Sequence, residues 1–352
     1  MRVNGCLALL MIGASALLPV PPVLAVGTVL KIATISPEGA AWMTRMRQGA
    51  DEIERRTQGR VSLKIYPGGI MGSDQTVLRK IRIGQLQGGA VSLGSLDDVH
   101  PDSQIYGFPF TFNSFDEVDY VRKRLDERIV RGFEERGFVS FGLVETGFAY
   151  LMSSKALRSI DDVKSRKVWI PAGDEISRTA FSLAGISPIL LPISDVLTGL
   201  ETGLIDTIGT PPIAAIALQW FTRVKYLTET PISYIMGTLV IDRKALEKLA
   251  PGDQGVVREV LVRGFSQIDA QNRKDNIAAL EALRRQGIEF VEPTAQQLAQ
   301  WKSVALRARE QLIAHGRYSP EIIADLRKHL DTFRSQRGSA ASAGLYRAPS
   351  PR

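Results

Sequence analysis

The stretch PGDQGVVREVLVRGFSQIDAQNRKDNIAALEALRRQ, residues 251–286, has few helix breakers. It places Val256, Val260, Leu261, Phe265, Ile268, Ile277, Leu280 and Leu283 at helical spacing. At 1.5 Å per residue, such a helix runs about 50 Å. That exceeds the width of one small domain, so the helix is expected to brace two. Helices over about 295–313 and 319–333 follow it.

Upstream, strand and helix patterns alternate, which points to an α/β architecture. Residues 28–34, TVLKIAT, read as a strand. Ser36 is expected to cap the next helix, with Pro37 in its first turn. That helix carries Ala40, Met43, Met46, Ala50 and Ile53 at helical spacing, and Gly59 marks its end. Residues 61–66, VSLKIY, alternate as the next strand.

A helix–glycine–strand unit then occurs twice. Ser73 and Asp74 open a helix with Val77, Leu78 and Ile81, closed by Gly84 before the apolar run 89–93. Ser194 and Asp195 open another with Leu197 and Leu200, closed by Gly203 before the run 204–208. Two such units suggest two topologically similar α/β lobes. Strand-like runs fall at 138–144, 150–153 and 167–170, and the run 232–241 is long enough to cross between lobes.

Composition bounds the function. A chain of 352 residues, 44% hydrophobic and 23% charged, is an ordinary globular balance and long enough for about two domains. The one cysteine, Cys6, excludes an intrachain disulfide and a thiolate metal site. His100, His315 and His329 are scattered, so no zinc site is suggested and no cofactor is implied. Residues 1–25 read as a cleavable signal peptide: Arg2 precedes the apolar run 7–18, Pro19, Pro21 and Pro22 break it, and Ala25 offers a small residue for cleavage. The protein is therefore expected in the periplasm. No later stretch reaches about 18 apolar residues.

The formal net charge of +7 invites nucleic acid as a partner. Arg2 lies in the leader, and Arg334, Arg337, Arg347 and Arg352 lie in a tail that contains no acid; without these five, residues 3–333 carry +2. Elsewhere basic and acidic residues alternate as a solvated surface, so no nucleic-acid partner is expected.

Signals for catalysis are thin. Residues 90–94, AVSLG, approach the nucleophile-elbow pattern around Ser92, but its first glycine is alanine. No phosphate loop is present: GGIMG at 68–72 lacks the lysine that must follow and reads as a turn. The pairs Asp97–Asp98 and Asp161–Asp162 read as loop or cap residues. Aromatic residues gather near strand ends, where open α/β sheets bind ligands: Phe108, Phe110, Phe148, Tyr150, Trp169, Trp220 and Tyr234.

An ordered set of segments resembles one known family. These are KIATISPEGA at 31–40, GRVSLKIYPG at 59–68 with MGSD at 71–74, FPF at 108–110, GF at 147–148, DDVK at 161–164 with KVWIP at 167–171, and LETGLID at 200–206. The chain is similar to the substrate-binding proteins of tripartite ATP-independent periplasmic (TRAP) transporters, the DctP family, from about Thr28 to Arg334. The resemblance implies a two-lobe periplasmic binding protein of Venus-flytrap form, hinged by crossing strands, with a long helix spanning both lobes. It implies a small organic ligand enclosed between the lobes and passed to a TRAP-type membrane permease, without catalysis. On this scheme residues 26–149 and about 235–265 form the first lobe, 150–234 and about 266–333 the second, and 334–352 a disordered basic tail.

The departures bear on the ligand. The family commonly anchors a substrate carboxylate with the arginine of a Lys-Ile-Arg signature, and here that position is Trp169. The second frequent arginine, after Gly-Phe, is here Ala149, and the Glu-Asn-Pro after the aspartate is Gly209-Thr210-Pro211. Bidentate carboxylate recognition thus loses its usual donor, unless another arginine such as Arg178 replaces it. The expected ligand is neutral, aromatic or amphipathic. Phe148, Tyr150, Trp169, Trp220 and Tyr234 are expected to pack on it, Ser92, Ser95 and Thr210 to hydrogen-bond it, and Glu38 and Glu145 to meet any amine. The alternatives are a periplasmic sensor-input protein for a signalling partner, and a serine hydrolase acting through Ser92.

Overall fold

The computed structural model describes residues 27–342. The expected signal peptide, 1–25, and the end of the expected tail, 343–352, lie outside them. The chain runs β1 (Thr28–Thr34), α1 (Ala41–Arg56), β2 (Val61–Tyr66), α2 (Asp74–Arg82), β3 (Gly88–Ser92), α3 (Phe115–Glu135) and β4 (Phe138–Ser153). It continues through α4 (Ile160–Lys164), β5 (Trp169–Pro171), α5 (Glu175–Leu183), β6 (Ile189–Leu191), α6 (Val196–Glu201), β7 (Thr207–Thr210), α7 (Pro212–Ala217) and β8 (Tyr226–Thr228). It closes with β9 (Ser233–Asp242), α8 (Arg243–Glu247), α9 (Pro251–Arg285), β10 (Glu289–Val291), α10 (Ala295–Ala314) and α11 (Pro320–Ser342).

The fold is α/β with two lobes, joined by strands that cross between them. In the first lobe β1 pairs in parallel with β2 and β3, and β9 runs antiparallel between β3 and β4. The two runs read as separate strands at 138–144 and 150–153 are one 16-residue strand, β4. Its pairing with β9 extends through Ala149↔Ser233; from Tyr150 it pairs with β7 and then β8 of the second lobe. A register shift between Glu145 and Gly147 bends it at the crossing.

Both faces of the first sheet are covered. Leu30, Ile32, Val139, Leu239 and Ile241 pack with Met43 and Met46 of α1 and with Val257, Val260, Leu261, Phe265 and Ile268 of α9. The other face, with Ala33, Val91 and Val240, packs against α2 and α3. Farther along α9, Leu283 is buried with Ile208, Trp220 and Leu227 in the core of the second lobe. The long helix therefore braces both lobes, and its 35 residues match the length read from the pattern.

Several local expectations need correction. Ser36 does not cap α1, which begins at Ala41 with no side-chain cap. Its N–H instead donates to Thr34 Oγ1 at 3.1 Å, and its carbonyl accepts from Gly68 N at 2.8 Å, which commits it to the loop before the helix. Ser73 does cap α2, accepting from Thr76 N, whereas Asp195 makes no side-chain cap to α6. Residues 318–330 do not join the second lobe: Tyr318, Ile322, Ile323, Leu326 and Leu330 share the first lobe's core with Val118, Val121 and Leu125 of α3. Nor does a disordered tail begin at 334. Helix α11 continues past that point, and Arg334 donates to both carboxylate oxygens of Glu117 at 2.8 and 2.9 Å.

Candidate functional site: a cavity between the lobes

The C-terminal ends of β1 and β3 in the first lobe face those of β5 and β7 in the second across a cavity of about 730 Å³. This is the edge of an open α/β sheet where strand ends leave room for a ligand. A smaller hollow of about 470 Å³ lies at Arg82, Arg136 and Arg243, on the first lobe alone.

One wall is aromatic. Trp169 begins β5, where it pairs with Ile189, and its indole N–H donates to Leu191 O at 3.0 Å. Its ring meets that of Trp220 edge to face, 5.2 Å between centroids. Both side chains are buried and both line the cavity, with Ile170, Phe181, Ile213, Ile216 and Leu218 of the same lobe around them. From the first lobe, Ile35, Trp42 and Val144 complete an apolar lining.

The polar lining gathers at α2. Asp74 stands at its first residue, and its Oδ2 accepts from Ser92 N at 3.0 Å, Ser92 Oγ at 3.1 Å and Ser95 Oγ at 3.1 Å. Burial pushes its carboxyl above the usual range, against those three hydrogen bonds. Next to it, Gln75 Nε2 donates to Ala172 O of the opposite lobe, a hydrogen bond across the mouth of the cavity. Gly173 lies at φ +90°, and a Cβ there would stand 2.9 Å from Gln75 Nε2, so glycine permits this approach. Asp174 then caps α5, accepting from Ser177 N at 2.9 Å. The charged residues on the lining are Asp74, Asp174, Asp275 and Arg285, the last at the final turn of α9.

Five of the residues singled out in the sequence meet here: Ser92, Ser95, Trp169, Thr210 and Trp220 all line the cavity. The other five do not. Glu38 is exposed and forks onto Arg47. Glu145 is 1% exposed and lies in an ionic cluster, where Arg273 Nε donates to it at 2.9 Å and the Tyr234 hydroxyl also donates. Phe148 and Tyr234 pack together in the first lobe's core, 4.9 Å between ring centroids. Tyr150 packs between the two lobes' cores.

For Phe148 and Tyr150 the reason is strand alternation, which sends neighbouring side chains of β4 to opposite faces. Beyond the bulge it is Ala149, not Phe148 or Tyr150, that reaches the cavity. Arg178, weighed as a replacement anchor, is exposed, lies off the lining and forks onto Glu175. Asp74 and Asp174 were not singled out for the site. A carboxylate at a helix start is ordinary for the helix dipole, so their local sequence gave no separate signal. Ser92 Oγ meets Asp74 and Ser95 rather than a histidine. His100, the histidine nearest to it in sequence, is packed edge-on against Phe133 instead.

Comparison with known proteins fits this geometry. The family model of the bacterial extracellular solute-binding proteins, family 7 (DctP), matches residues 32–314. The C4-dicarboxylate-binding periplasmic protein of Rhodobacter capsulatus is 22% identical over 262 residues, 74% of this chain and 78% of that protein. The sugar acid binding protein of Advenella mimigardefordensis, solved with galactonate, superposes with a TM-score of 0.80 at 16% identity, covering 87% of this chain and 98% of that one. A TRAP periplasmic solute binding protein of Xanthobacter autotrophicus, solved with galacturonate, gives 0.78 at 19% identity over 86% and 99%. At these identities the structural likeness shows the fold.

Proposed function

The chain belongs to the DctP family of bacterial extracellular solute-binding proteins, and on that premise we propose that it encloses a small, largely apolar or amphipathic organic ligand between its lobes and delivers it to a TRAP-type permease. The leader at 1–25 supports export to the periplasm, where relatives such as the Rhodobacter protein are named as working. Members of the family are binding proteins, and no chemical step is proposed for this one.

The observation that carries the ligand class is Trp169. Solved neighbours hold galactonate and galacturonate, both carboxylates. In this chain an indole stands where the family resemblance places a guanidinium, with its N–H already spent on Leu191 O. Ala149 at the second arginine position lines the same cavity and offers no charge. A carboxylate buried against this wall would go without its fork of donors, whereas an apolar body would gain from covering two tryptophan rings.

Closure around the ligand follows as a population shift. A ligand that contacts both walls binds the closed form better than the open one, and only that difference moves the equilibrium. Native mass spectrometry of gently purified protein tests the reading: a co-purified apolar or amphipathic mass is expected, and a bound sugar acid would refute it. A thermal-shift screen is the second route, since a ligand at about 100 times its Kd adds roughly 2.7 kcal/mol.

A further inference from the structure

Asp74 is only 6% exposed, yet it lines the cavity. Its hydrogen bonds all arrive at Oδ2; among the described residues none reaches Oδ1, and no ion pair forms on either oxygen. Asp174 faces the same cavity from the opposite lobe, two residues past the carbonyl that accepts from Gln75, and it too is in no ion pair among the described residues. Arg285 is exposed at the far end of α9, on the second lobe. Two hydroxyls, one amide and the start of α2 partly offset the cost of burying this carboxylate, but no cation is set against it.

We propose that the ligand supplies the cation: an amphipathic amine whose ammonium group sits at Asp74, between the first lobe and the Asp174 end of the second, with its apolar body along Trp169 and Trp220. This rests on the interlobe binding reading above. The ammonium meets Oδ1 by a charge-assisted hydrogen bond, and the indole faces favour a cation near them. An acid would face Asp74, Asp174 and Asp275, with Arg285 at the end of α9 the one cation on the lining among the described residues.

Titration calorimetry of the ligand-free protein with phenylbutylamine, phenylbutanol and phenylbutyrate tests this, because the three share one apolar body and differ in head group. The amine is expected to bind about ten- to hundred-fold tighter than the alcohol, and the acid weakest. In Asp74→Asn the amine-to-alcohol ratio is expected to fall to about one. A wild-type protein that binds the alcohol or the acid as tightly as the amine overturns the proposal without any variant. So does Asp74→Asn with the amine's advantage intact. If amine and alcohol bind equally and both weaken in Trp169→Ala, the apolar receptor stands and only the head-group assignment falls. If none of the three binds, the apolar receptor falls with it.

Discussion

Trp169 and Trp220 close the cavity's aromatic wall edge to face, with ring planes 73° apart. The pair joins β5 to the turn after α7, so the wall is built from two separate segments of the second lobe. Trp169→Arg restores the guanidinium of the family signature to a site that is 4% exposed. Without a bound acid, that charge is buried unpaired and Leu191 O loses its donor. A stability loss of about 3–5 kcal/mol is expected, partly recovered by added galacturonate. Affinity for phenylbutanol is expected to drop at least about ten-fold, the loss of one good aromatic contact. Urea unfolding and calorimetry read both effects; an unchanged affinity would take Trp169 off the binding wall.

Gly147 makes the crossing of β4 possible. Its φ is +114°, and a Cβ there would lie 2.7 Å from Asn276 Nδ2 on α9. Asn276 is itself buried, and its amide carbonyl accepts from Ile213 N at 3.2 Å. Gly147→Ala combines backbone strain with a clash against a side chain that cannot leave, and is expected to cost about 3 kcal/mol. The urea midpoint should fall accordingly. A loss no larger than that of Gly142→Ala, where φ is +121° but no atom lies within 4 Å of the added Cβ, would mean that the contact with Asn276 costs nothing.

The same bulge marks what the sequence could and could not show. Helix α9 was legible because apolar residues recur along a run with few breakers, although Ile277, read as one of them, is exposed; the two-lobe plan followed from its length. Trp169 and Trp220 were legible because they sit near strand ends. Phe148 and Tyr150 were misplaced because an aromatic residue looks the same in a core as in a cleft, and only the register after Gly147 decides which. Glu145 was misplaced for a different reason. Its partners Arg122 and Arg273 are 23 and 128 residues away in sequence, on α3 and α9, so no local pattern announces the cluster.

That cluster makes its own prediction. Arg273 donates to Asp119 at 2.7 and 2.8 Å and to Glu145 at 2.9 Å, while Arg122 meets Asp126 at 2.9 Å and Asp269 at 2.9 Å. It ties α3, β4 and α9 together where β4 leaves the first lobe. Arg273→Met leaves Glu145 buried with one more distant cation, Arg122 at 3.6 Å, and is expected to cost about 3–5 kcal/mol. Glu145→Gln added to it removes the stranded charge. The double variant should therefore be less unstable than the sum of the singles, by about 1 kcal/mol or more. Strict additivity in a double-mutant cycle would show that the two do not share one interaction.

His100 carries a pH signature. It is 5% exposed, and neither ring nitrogen has a hydrogen-bond partner among the described residues. Gly132 packs so tightly on it that a Cβ there would fall within 3 Å of three ring atoms. Burial pushes the imidazole below its ordinary value, Arg136 and Arg128 push it further, and Asp102 and Glu135 oppose them. The unfolded chain therefore takes up this proton first as pH falls. The stability tied to neutral His100 is complete above about 6.5, the unfolded value, and is lost as pH drops below it toward the lower folded value. His100→Leu keeps an apolar filler and removes the titration. From about pH 7.5 to about pH 5.5, the urea midpoint of the wild type should fall more steeply than that of the variant. Parallel curves would assign the acid sensitivity to another group.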